Sequence, residues 1–361
     1  MKNDKIDQLL LSLLRQHLTQ NDHIIEHKLS SLCEDDWYDL YKLAAQQGVL
    51  AIAYDSLSKN IHFLPRKLKI QWALGVERII ERYNKQEKLI KELSGILFQS
   101  GIKTVVLKGL GISQYYPKPN YRECGDFDCF LFEDFNKGNE IIVNKGGTIK
   151  GEDYKHSHID YKGLMVENHR FCTPIRGSKA NKDFEIYLQA LLKDEPNQYL
   201  ADSHIIIPNA TFTVLFLARH SMTHFLYEGI NMRHIVDWAC YIQKKQNEIN
   251  WSEVYRLGDK MHLTIFINTL NAIVKESLGV EINNPNARID HRYTDKFLQI
   301  TLNENDNVYN QESLSLWQQR WKIVRNMIGG YWKFTKVYRK SLLMEWIRAA
   351  VGVAFEKNPK L

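Results

Sequence analysis

Residues 125–131 read Gly-Asp-Phe-Asp-Cys-Phe-Leu, an apolar strand that opens on an Asp-x-Asp pair. Side chains alternate across a strand, so Asp126 and Asp128 share one face while Phe127 and Cys129 share the other and can pack on a helix layer. Two adjacent carboxylates repel one another and are costly to bury unless a divalent cation lies between them. Magnesium or manganese is the expected cation. A bare Asp-x-Asp is usually a solvated loop, but a carboxylate pair on an otherwise apolar strand is poorly explained that way. The chain must therefore build a sheet with helices behind this strand and a ligand in front of it.

The apolar pattern supplies such a frame. Its period is helical over 6–18 and 35–57, and a long helix is expected from just after Pro65 through Trp72, Val76, Ile79, Tyr83, Leu89, Leu93 and Leu97 to a stop at Gly101. Strand-type runs follow at 104–107 and 127–132, with a hairpin of 154–161 and 164–171 about Lys162-Gly163. Residues 112–116 and 136–144 read as short helices between them. After a helix near 183–192 and a strand at 205–207, Asn209 is placed to cap a run of helices over 212–242, 251–278 and 314–355. Turn-rich 283–288 and polar 303–312 interrupt that run. The predicted class is α+β, a mixed or antiparallel sheet flanked by helices. It divides into an N-terminal helical region (1–100), a core (101–208) and a C-terminal helical domain (209–361).

Composition excludes several alternatives. Of 361 residues, 44% are hydrophobic and 25% charged, as in a soluble globular protein, and the net charge of +6 suits an anionic ligand without the clustered basic footprint of a nucleic-acid binder. Five scattered cysteines with no Cys-x-x-Cys pair argue against a disulfide framework or a zinc knuckle. Asp4 and Asp7 precede the N-terminal apolar run, and Glu345 and Arg348 interrupt the one near the C-terminus, so neither a signal peptide nor a membrane span is expected. The expected location is cytoplasmic.

A metal between triphosphate and nucleophile is usually held by acids from neighbouring strands. Glu167, an isolated acid in the second hairpin strand on the same face as His169, is the candidate third carboxylate; the alternative is a surface position on an edge strand. Lys108-Gly109 forms a glycine-containing turn after the first strand that can face phosphate, although it is neither a P-loop nor a dinucleotide fingerprint. His220 and His224 have the i, i+4 spacing of zinc ligands, but no third ligand is evident and a structural role is expected. His156 and His158 read as exposed polar positions on one strand face. Arg233 and Asp237 are spaced as an i, i+4 ion pair, and Arg233 is expected to face the cleft, where a cation meets triphosphate or an anionic acceptor. The basic, aromatic stretch 317–340 reads as an amphipathic helix with a solvated basic face, in preference to a surface for nucleic acid or lipid.

The order Leu-Lys-Gly (107–109), Tyr-Tyr-Pro (115–117), Arg122, Gly-Asp-Phe-Asp (125–128) and Glu-x-His (167–169) resembles the bacterial family of uncharacterised nucleotidyltransferases, within the DNA polymerase β-like superfamily. The resemblance runs over residues 65–245, with His220, His224, Arg233 and Asp237 in similar places. It implies metal-dependent transfer of a nucleoside monophosphate from a nucleoside triphosphate such as ATP to an acceptor, with loss of pyrophosphate. Asp126 and Asp128, with Glu167, are then the catalytic metal ligands, and Lys108, Gly109 and Arg122 lie on the nucleotide side. The acceptor can be a small molecule, a protein or an RNA end. The competing readings are a nucleotide-binding or regulatory protein without turnover, and a helical interaction module.

Overall fold

Apolar residues at helical spacing give α1 (Asp4–Thr19), α2 (Glu26–Ser30), α3 (Glu34–Gln46), α4 (Leu50–Ser56) and the long α5 (Arg66–Gln99). The computed structural model describes residues 4–21, 26–194, 198–303 and 329–340. The core then runs β1 (Thr104–Val106), α6 (Leu110–Ser113), β2 (Phe127–Phe130), α7 (Phe135–Asn144), β3 (Thr148–Glu152), β4 (His156–Tyr161), β5 (Leu164–His169), α8 (Lys179–Asp194), β6 (Gln198–Tyr199) and β7 (Ile205–Ile207). Five helices follow: α9 (Ala210–Tyr227), α10 (Met232–Lys245), α11 (Trp251–Met261), α12 (Thr264–Glu276) and α13 (Thr294–Asn303). Asn209 caps α9, its side chain accepting from the Phe212 N–H.

The seven strands form one mixed sheet in the order β3-β4-β5-β2-β1-β7-β6. β2 pairs with β5 and β1 with β7 in parallel, and the remaining pairs are antiparallel. Strand alternation sends Val106, Phe127, Cys129, Ile159 and Val166 to one face, packed on α5 and α7. The opposite face contributes Val105, Phe130 and Ile206 to a second core that also holds the apolar stripes of α1, α3 and α4 and of the helices from α8 onward. The helical regions before and after the sheet thus bury their apolar faces in one continuous core.

Several expectations change. The helical pattern at 35–57 divides at the Gly48 turn, that at 212–242 divides at 228–231, and that at 251–278 divides at His262 and Leu263. Edge strand β3 was not expected, because its residues Thr-Ile-Lys-Gly-Glu are mostly exposed and lack an apolar alternation, as suits a protected sheet edge. In the basic, aromatic stretch only 329–340 is described; there Lys333 is buried, with its ammonium 5.1 Å from the Phe225 ring centre, so the basic face is not wholly solvated. Trp317, Arg320, Trp321, Lys322 and Arg325 lie outside the described residues. Among the described residues, no helix is long and apolar enough to cross a membrane.

Candidate active site

The turn after β1 is fixed against the acidic strand by a Leu107 N–H to Asp128 carbonyl bond of 3.0 Å. Gly109 sits at φ +62°, a left-handed conformation that explains glycine there. The chain then enters α6, only four residues long, so little helix dipole is aimed at a ligand and side-chain cations must carry the positive charge.

Asp128 is buried, and its Oδ1 lies 3.2 Å from both Lys108 Nζ and His169 Nε2. Its Oδ2 is also buried and meets no hydrogen-bond donor among the described residues. Burial alone pushes this carboxyl up, but the Lys108 charge and the hydrogen bond and charge of His169 outweigh it and hold the group far below the usual carboxylate range. Glu167 is the register partner of Asp128 on β5 and of His158 on β4, so it stands on an interior strand rather than at an edge. His169 Nε2, His158 Nδ1 and His156 Nε2 lie 3.5, 3.6 and 3.7 Å from its carboxyl oxygens. His156 and His158 therefore stand around Glu167; His156 is largely covered, while the His158 side chain is 37% exposed, as expected for a polar position. Asp126 stands one residue ahead of β2; burial, then the charges of Glu167 and Asp128, push its carboxyl up. The three acids are close enough to repel one another.

Opposite the acidic sheet face stand α9 and α10. The space between holds two adjoining cavities, ≈ 260 and ≈ 320 Å³, whose walls share Lys108, Asp126, Asp128, His220, His224 and Glu228. Gly109, Arg122, Arg233 and His234 line the first, and Glu167, Lys155 and Arg219 line the second. Arg122 reaches the wall but is engaged. Its Nε and Nη2 donate to Asp237 Oδ1 and Oδ2 at 2.7 and 2.8 Å, and the Tyr116 hydroxyl donates to the same carboxylate at 2.6 Å. The expected Arg233–Asp237 pair is accordingly not formed: Asp237 is taken by Arg122, and Arg233 Nη1 donates to the Glu123 carbonyl at 3.1 Å.

Two cations were not singled out from the sequence. Arg219, on α9, is 7% exposed; its Nε is buried without a partner, and its guanidinium makes no ion pair among the described residues. Lys155, just ahead of β4, is held below the usual lysine range chiefly by burial, partly offset by the Asp128 charge. Neither stands in a motif: Arg219 reaches the cleft from α9, remote in sequence from the acids, and Lys155 from the turn ahead of the strand that pairs with β5. Residues 34–279, more than half of the chain, match the family described as "Uncharacterised nucleotidyltransferase". No curated protein and no solved structure matches the chain.

Proposed function

Since this chain belongs to the uncharacterised nucleotidyltransferase family, we propose that it transfers a nucleoside monophosphate from a nucleoside triphosphate to an acceptor bound between the sheet and α9–α10. The observation that carries the reading is the buried Asp128 Oδ2, without a donor yet flanked by two further acids and a lysine. That donor set fits a hard divalent cation, magnesium or manganese, with Asp126, Asp128 and Glu167 as its ligands. When bound, such an ion neutralises charge on the triphosphate and helps align the reacting oxygens.

The chain's own side chains do the rest. Lys108 and His169 hold Asp128 ionised. Lys155 and Arg219 stand on the second cavity wall, Arg219 with its buried Nε unpartnered, where phosphate oxygens satisfy them. The acceptor hydroxyl oxygen forms a bond to the α-phosphorus as the bond from the α-phosphorus to the α–β bridging oxygen breaks; its proton is released to water and pyrophosphate leaves. A strand, a turn with Lys108-Gly109, an acid pair opening the next strand and a third acid on its neighbour support placement in the DNA polymerase β-like superfamily.

Calorimetry with ATP or another nucleoside triphosphate tests the binding step. Magnesium or manganese should strengthen binding to the native protein, and Asp128→Asn should abolish that dependence while the circular dichroism spectrum is kept. Metal-independent affinity in both proteins would sink the assignment. Labelled triphosphates offered with small-molecule, protein and RNA acceptors, self-modification included, then identify the acceptor.

A further inference from the structure

The turn at 228–231 folds α10 back beside α9 and brings three imidazoles together. His220 and His224 lie one turn apart on α9, His234 lies in the first turn of α10, and one ring nitrogen from each is within 4.8 Å of the others. The Nε2 atoms of His220 and His224 are 3.1 Å apart, while their ring centroids are only 4.5 Å apart at an interplanar angle of 71°. A head-on N–H···N bond would separate the centroids by the nitrogen distance plus both ring radii. These nitrogens instead approach each other obliquely, at a spacing that two ligands of one ion can have. In a tetrahedral site with metal–nitrogen bonds of about 2.1 Å, neighbouring nitrogens stand about 3.4 Å apart.

The outward nitrogens are oriented too. His224 Nδ1 faces the Glu228 carboxylate at 2.7 Å, and His234 Nδ1 is held by Asn231, 2.8 Å from its Oδ1 and 3.4 Å from its backbone N–H. A proton held at His224 Nδ1 by Glu228 leaves its Nε2 with a lone pair, and such outer support is what fixes tautomers in metal-binding histidines. Glu228 also supplies a counter-charge beside the cluster.

We infer that His220, His224 and His234 form a divalent transition-metal site with an open coordination position facing the cleft. An all-imidazole set selects zinc or a similar late first-row ion, in contrast to the oxygen-rich set of Asp126, Asp128 and Glu167. All three histidines line the cavity that also contains Lys108, Asp126 and Asp128. Three protein nitrogens with an open fourth position make a site that takes water or an anionic oxygen from a ligand. Its use in holding the acceptor rests on the proposed nucleotidyl transfer, whereas metal binding does not.

The test uses the full chain stripped with chelator, zinc titrated by calorimetry and cobalt followed by visible absorption. One equivalent should bind, with the strong cobalt bands of a four- or five-coordinate site. His224→Gln and His234→Gln should each abolish those bands and weaken zinc binding by more than about 100-fold, and Glu228→Gln should weaken it about 10-fold. The Asp126→Asn/Asp128→Asn double variant should keep the zinc stoichiometry and the cobalt spectrum. Zinc affinity unchanged in the histidine variants would overturn the inference. So would loss of zinc in the double acid variant, or in His158→Gln, which would move the ion to the sheet. If the histidine variants do not fold, an unchanged zinc affinity in Glu228→Gln overturns it instead. Magnesium-dependent nucleotide binding by the native protein, measured beside the zinc titration, separates failure here from failure of the transfer reading.

Discussion

Arg219 is a buried cation whose Nε has no partner among the described residues. A largely buried guanidinium without a counter-ion costs stability, and a buried cation that only served packing would be expected to have a carboxylate beside it. The cavity it lines instead offers room for an anion, with Lys155 on the same wall. Arg219→Ala should therefore weaken nucleoside triphosphate binding by 10-fold or more, about 1.4 kcal/mol, without lowering the melting temperature of the unliganded protein. Calorimetry and thermal denaturation read the two effects separately. A lower melting temperature with unchanged affinity would return Arg219 to packing.

Between elements, single polar side chains set the angles at which helices and strands meet. Glu185 on α8 is fully buried, and its carboxylate accepts from Cys172 N–H, Thr173 N–H and the Thr173 hydroxyl at 2.7–2.9 Å, fixing the segment that leaves β5 along the cleft. Asp55 on α4 ties α1 through His17 at 3.1 Å and the segment before β2 through Lys118 at 2.6 Å. Burial pushes the Asp55 carboxyl up, but these two partners outweigh it and hold the group below its ordinary value of 3.8. A depressed folded value means that the joint is fully stabilising above pH 3.8 and is lost as the pH falls through the folded value. Asp55→Asn should then cost about 0.5–1 kcal/mol at neutral pH, because the site is partly solvated, and the gap should close below that point. Melting temperatures of both proteins across an acid pH series check the sign; a constant gap would refute it.

At the scale of the molecule, two buried links make the C-terminal helices a wall of the cleft. Gln47, at the end of α3, donates to the Thr301 carbonyl and accepts from the Met232 N–H, tying the N-terminal helices to α10 and α13. The Arg122–Asp237 pair ties α10 to the segment that leads into the acid strand. Asp237→Ala leaves Arg122 charged and buried without its partner, so it should cost about 3 kcal/mol and lower metal-assisted nucleotide affinity as well. Denaturant unfolding and calorimetry measure the two; intact affinity in a destabilised protein would detach the link from the site. The sequence by itself determined the helices, the acid strand, the Lys162-Gly163 hairpin and the Asn209 cap, because periodicity, alternation and capping act within a few residues. It also placed Asp128 and Glu167 on strands of one sheet, with Asp126 beside the start of the acid strand. Only the tertiary structure decided that Glu167 stands beside Asp128 on an interior strand, that Asp237 pairs with Arg122 rather than Arg233, and that His234, Lys155 and Arg219 meet in one cleft. These outcomes depend on strand order and on how α10 folds back over α9, and no local rule of spacing encodes which distant side chains will compete for the same partner.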